Sequence, residues 1–196
     1  MGRTLLLVIG LLFPQLGWAD SPAEVTKRLI STMQSCGQEF GSPSAPPQCT
    51  SEEIEKNLAV VQLSRWLMGP HWDTLGQEKQ DDFIALLTRL LRELAYPRAS
   101  EFLADTQFEY GDTQLQGNEA LTEVSVVNPD EGRVTIGFRL NQSEGVWKIW
   151  DVRLDGVSMA SNLRKQVQSL MSKQSYEELV ERMQRTIANA KTEEAG

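Results

Sequence analysis

Apolar side chains in this chain change their spacing twice. From Val25 to Leu94 they recur every three or four residues, from about Phe108 to Leu154 every second residue, and from Leu163 to Ile187 every three or four again. A period near 3.6 marks one face of a helix and a period of two marks one face of a strand. Helices, then strands, then helices predict an α+β domain with the helices packed on one face of a curved antiparallel sheet. No internal repeat is visible.

The boundaries carry their own signals. Ser21, Pro22 and Glu24 form a capping box with proline at the first helical position, and Val25, Leu29, Met33, Cys36 and Phe40 follow as one apolar stripe. Thr50 with Glu53 opens a second helix, with Ile54, Leu58, Val61 and Arg65/Leu67 along it, which Gly69-Pro70 stops. A third is predicted from Thr74 through Phe83, Ile84, Leu86, Leu87, Leu90, Leu91 and Leu94, with Pro97 kinking or ending it near Tyr96. So broad an apolar face implies burial against more than one neighbour, or against a ligand. Ala120–Val127, Val134–Leu140 and Val146–Leu154 read as a meander joined by turns at 128–132 and 141–145. Val134, Ile136, Phe138 and Leu140 share one strand face, and Val146, Trp150, Val152 and Leu154 another. Two helices close the chain, the last capped by Ser175 and Glu178, and residues 191–196 read as a frayed tail.

The N-terminus reads as a secretory signal peptide over residues 1–19. Arg3 precedes the apolar run Leu5–Phe13, Pro14 breaks it, and Gly17 and Ala19 occupy the small-residue positions of a cleavage site. The run is too short to span a bilayer, which takes about 20 apolar residues. The mature protein is expected from Asp20, as a single domain over 20–190 in the periplasm. An oxidising compartment favours a disulfide between Cys36 and Cys49, across the Gly/Pro/Ser-rich loop GQEFGSPSAPPQ. A net charge of −8 speaks against nucleic acid, whose phosphates call for clustered Lys and Arg.

Catalytic patterns are scarce. One His and two Cys are too few for a Cys/His zinc site, and no metal is expected. His71 could work with Asp73 as base and orienter, but no G-x-S-x-G nucleophile accompanies it. Asp151, between Trp150 and Val152, could carry a raised pKa, although pairing with Arg153 or a helix amide is the more economical reading. No phosphate-binding glycine loop, H-E-x-x-H pair or EF-hand is present. The positive signal is apolar bulk, a leucine-rich helix facing a sheet with Phe138 and Trp150. A pocket between helices and sheet is a common ligand site, and an ordinary filled core is the alternative.

Three stretches carry a family resemblance. They are Arg65-Trp66-Leu67-Met68-Gly69-Pro70-His71-Trp72, the helix with Phe83-x-x-Leu86-Leu87, and above all Gly145-Val146-Trp147-Lys148-Ile149-Trp150-Asp151-Val152-Arg153-Leu154-Asp155-Gly156-Val157-Ser158-Met159 with Asn162-Leu163-Arg164. Over about residues 50–187 the chain resembles the MlaC family, periplasmic phospholipid-binding proteins also called toluene-tolerance auxiliary proteins. Leu163 and Trp150 stand where that family often has Tyr, and the cysteine pair and Pro-rich loop lie outside its pattern. The resemblance implies a cone-shaped α+β fold whose apolar cavity takes phospholipid acyl chains, with no cofactor and no catalysis. It also implies shuttling of lipid between an outer-membrane lipoprotein–porin complex and an inner-membrane ABC transporter. The cavity wall is expected at Leu87, Leu90, Leu91, Leu94, Phe138, Trp150 and Val152, in a monomer. Two other readings stay open: an interaction module with a filled core, from an export or hopanoid-associated system, and an isomerase- or hydrolase-like cavity enzyme using Asp151 or a Tyr.

Overall fold

The computed structural model of the protein describes residues 20–37, 49–128 and 132–193. The predicted signal peptide 1–19, Phe40 with the rest of the 38–48 loop, turn residues 129–131 and the last three residues of the expected tail lie outside them. The chain runs through helix α1 (Pro22–Cys36), a short α2 (Ser51–Glu55), α3 (Val60–Met68) and α4 (Gln77–Leu90), then α5 (Tyr96–Ala104). Strands β1 (Gln107–Gln116), β2 (Glu119–Asn128), β3 (Gly132–Ser143), β4 (Val146–Leu154) and β5 (Val157–Ser158) follow, and α6 (Met159–Met171) and α7 (Tyr176–Glu193) close the order. The strands form one antiparallel sheet in sequence order, β1 to β5. The α+β architecture is therefore the one predicted. Helix α7 extends to Glu193, three residues into the expected tail.

Caps follow the sequence closely. Ser21 and Glu24 make the reciprocal capping box of α1, and the Thr50 hydroxyl accepts the Glu53 amide at the start of α2. The disulfide between Cys36 and Cys49 is present, with the two Cα atoms 5.3 Å apart.

Three local departures shape the molecule. The helix expected from Thr50 to Met68 is broken at 57–59, where the Asn57 carbonyl accepts Ile149 N–H and Ala59 N–H donates to the Ile149 carbonyl, both at 2.8 Å. The outer edge of β4 offers those two backbone groups, and pairing them outweighs one more helical turn. A 3-10 turn (Gly69–Thr74) follows α3, so α4 begins at Gln77 rather than at Thr74. The helix through Pro97 does not end there: a π-turn over Leu91–Ala95 joins α4 to α5, with the Tyr96 N–H donating to the carbonyl of Leu91 five residues back. Pro97 thereby falls in the first turn of α5, where its missing N–H costs no hydrogen bond.

The π-turn also redirects the apolar face. Phe83 and Leu87 of α4 enter a helical core with Leu67, Val167, Leu179 and Ile187. Beyond the turn, Tyr96 and Leu103 enter a second core built on the sheet and α1, with Leu29, Ile30, Val124 and Phe138. Leu91, within the turn, touches both.

Candidate functional site

β4 does not alternate regularly. Arg139 pairs with Asp151 but Leu140 pairs with Ile149, which leaves Trp150 as the extra residue of a β-bulge. A bulge shifts the alternation by one residue, so Trp147 and Ile149 share the core face with Val152 and Leu154. Val146, expected on that face with Trp150, is 55% exposed instead. The interruption in β4 and the π-turn in the long helix both lie on the wall of one pocket.

That pocket has a volume of about 510 Å³, within the roughly 300–1,000 Å³ usual for ligand sites. It lies where the two cores meet. α1 contributes Leu29 and Met33, the start of α3 Val60 and Leu63, the π-turn and α5 Leu91, Ala95, Ala99 and Phe102. The sheet supplies Ile136 and Phe138 from β3 and Ile149, Trp150 and Val152 from β4, and α6 supplies Met159 and Leu163. Tyr96, Arg98 and Asp151 are the polar or charged side chains of a lining that is otherwise apolar, the indole N–H of Trp150 aside.

Of the seven expected wall residues, Leu91, Phe138, Trp150 and Val152 line this pocket. Leu87 does not: it is fully buried in the helical core, where Leu90 packs too, and Leu94 is half-buried away from the lining. The wide apolar face of α4 serves two cores rather than one cavity, and the π-turn decides which leucines turn where. Ala99 and Phe102 escaped sequence reading because the expected break at Pro97 placed them beyond the helix, and Ala95 because the apolar face was read only as far as Leu94. Only their three- and four-residue spacing after Leu91 signalled a continued face.

The motif residues hold the scaffold around the pocket. Trp66 and Trp150 meet edge to face with centroids 5.5 Å apart, the Arg164 guanidinium lies 4.6 Å over Trp66, and that of Arg139 lies 4.4 Å over Trp150. Arg164 donates to the Trp66 carbonyl, and Gln168 donates to the carbonyls of Leu67 at 2.6 Å and Met68 at 2.9 Å. These are the last carbonyls of α3, which have no partner inside their own helix. α6 thus caps α3, with a cation at the negative end of its dipole.

Asp151 is 3% exposed and fully engaged. Its Oδ1 accepts the Ala160 amide at 3.0 Å, its Oδ2 accepts the Ser158 hydroxyl at 2.8 Å, and Arg139 stands 4.0 Å away. Of the two partners expected for it, the helix amide is found and Arg153 is not. Asp73 faces Arg65 at 3.7 Å rather than serving as an orienter for His71, whose carbonyl accepts the Thr74 hydroxyl. Tyr96, 2% exposed, has its phenol pushed well above the usual tyrosine range, by burial first and by the Glu55 carboxylate second. A phenol held neutral in this way is a poor proton acceptor. Among the described residues no helix is long and apolar enough to cross a membrane.

This is an α+β fold with an apolar pocket lined from both a sheet-based core and a helical one. A family model described as MlaC protein matches residues 23–185, and the chain belongs to the MlaC family. No curated protein sequence matches it. Among solved structures it is similar to a phospholipid-binding protein from Ralstonia solanacearum in complex with a phospholipid. The two share 16% identity with a TM-score of 0.69, over 85% of this chain and 94% of that one. At that identity the likeness is one of fold.

Proposed function

We propose that this protein is a non-catalytic lipid carrier that holds phospholipid acyl chains in the pocket between its two cores. The observation that carries the reading is the pocket lining, apolar apart from Tyr96, Arg98 and Asp151 and the indole N–H of Trp150. Asp151, the carboxylate among the described lining residues, is committed to Ser158 and the start of α6 rather than free for proton transfer. Burying a methylene contributes about 0.8 kcal/mol, so acyl chains alone supply ample affinity. Family membership and the phospholipid bound to the Ralstonia protein support the same ligand class.

The remaining parts of the proposal rest on that membership and, for residues 1–19, on the signal-peptide pattern of the N-terminus. The chain loses residues 1–19 on export, works in the periplasm as a monomer, and passes lipid between an outer-membrane lipoprotein–porin complex and an inner-membrane ABC transporter. Leu91, Phe138, Trp150 and Val152 contact the chains, whereas Leu87 and Leu90 belong to the helical core and Leu94 stays outside the lining. Native mass spectrometry after gentle purification tests the reading: unaltered phospholipid should co-purify. A protein that carries none, and takes up none from vesicles, is not a carrier.

A further inference from the structure

Among the described residues, the exposed part of the pocket lining, its mouth, carries one charge. Among the lining residues only Arg98, Leu154 and Met159 are exposed, the last two at 40% and 38%. They bring together the first turn of α5, the end of β4 and the start of α6. The other charged lining residue, Asp151, is buried and satisfied from within. Arg98 differs from its neighbours in this acidic chain. Arg92 makes a bidentate pair with Glu55 and Arg133 one with Glu109, whereas Arg98 faces no carboxylate within 4.0 Å among the described residues.

We propose that Arg98 binds the anionic group of the acyl-chain ligand at the pocket mouth, a lipid phosphate or a fatty-acid carboxylate. The inference rests on the carrier reading and adds to it a determinant of which lipids are held. A guanidinium presents a fixed fork of donors that matches a phosphate or carboxylate in two-point contact. Its distance from the acyl chains is set by the fold: Ala99 and Phe102 share α5 with it, Ala95 ends the π-turn before it, and all three line the interior. An anionic group at Arg98 therefore lies at the water boundary while its chains run inward past Phe102. The exposed apolar neighbours Leu154 and Met159 offer no competing counter-charge.

The test compares three probes on the full mature protein by displacement of a fluorescent lipid: phosphatidylglycerol, diacylglycerol with the same chains, and the matching free fatty acid. Arg98→Glu should weaken phosphatidylglycerol about tenfold, equivalent to about 1.4 kcal/mol, and leave diacylglycerol unchanged. Arg98→Lys should restore most of the loss, and high salt should shrink it. A loss for phosphatidylglycerol assigns the phosphate as the bound group, and a loss confined to the fatty acid assigns the carboxylate; either supports the site. Equal losses for phosphatidylglycerol and diacylglycerol, or no loss for either anion, overturn it. If the parent protein binds none of the three, the carrier reading itself fails, a result distinct from loss of discrimination. Unchanged circular dichroism and unfolding midpoint in Arg98→Glu establish that the exposed substitution has not altered the fold.

Discussion

The buried carboxylate of Asp151 accepts the backbone N–H of Ala160 at 3.0 Å, fastening the start of α6 to β4 beside the pocket. Ser158 adds a second bond at 2.8 Å while its hydroxyl accepts the Ser161 amide, so one carboxylate organises the whole first turn. Hydrogen bonds to a charged group are worth about 1.5–3 kcal/mol each, and leaving a buried donor unpaired adds to the loss. Asp151→Ala should destabilise the protein by about 3 kcal/mol, read as a lower urea midpoint. An Asp151→Ala variant of unchanged stability would remove the structural role argued for this carboxylate.

Gly69 ends α3 at φ +51°, and a Cβ there would stand 2.8 Å from Arg164 Nη2. Gly69→Ala should cost about 1–3 kcal/mol through backbone strain and displacement of the guanidinium that caps α3. Gly76, with φ +73° and open space around it, is a control for strain alone. Its alanine variant should lose less.

Cys36 and Cys49 lie 13 residues apart in sequence and tie α1 to the segment leading into α2. Replacing both with Ser should lower stability by about 3 kcal/mol. Thiol labelling of unfolded, unreduced periplasmic protein should find no free thiol. Labelling at both cysteines would show that the bond does not form in the cell.

Filling the pocket should separate lining from core. Val152→Trp and Ala99→Trp should reduce co-purifying lipid in a protein that still unfolds cooperatively near the parent midpoint. Leu90, which packs with the helical core, should respond to Trp as an overpacked site and lose about 1–3 kcal/mol. Leu87→Ala should cost about 2–5 kcal/mol as a cavity in that core. Early unfolding of both pocket variants, with no lipid in the parent, would make the pocket an ordinary core.

Alkaline pH should weaken the fold through Tyr176, which donates to the Lys79 carbonyl at 2.8 Å. Burial first, then the Asp82 and Glu177 carboxylates, push its phenol up to about 12. An unfolded tyrosine titrates near 10, so between these values the native state holds the proton that the unfolded chain releases. Stability is fully present below about pH 10 and falls as pH rises toward 12. Tyr176→Phe should show a smaller drop in urea midpoint between about pH 9 and about pH 11. An identical drop in both proteins would assign the alkaline loss elsewhere, Tyr96 and Tyr110 being raised by burial too.

The chain alone determined what depends on near neighbours. Capping signals at Ser21 and Thr50, the alternation through Ile136, Phe138 and Leu140, and the apolar stripe of α7 act over a few residues. They follow from local sterics and hydrogen bonding. For Asp151 a helix amide was legible as one of two possible partners, but not that the amide belongs to Ala160 of α6, and the capping of α3 by Arg164 was not legible at all. The tertiary structure decided what depends on partners distant in sequence. Asn57 left a helix because β4 offered it backbone groups, and Trp150 became a bulge because β3 fixed the register on either side. Leu87 and Leu103 entered different cores because a π-turn ahead of Pro97 lies between them. A hydrophobic period shows that a face is buried; only the packed chain decides whether it meets another side chain or the wall of a pocket.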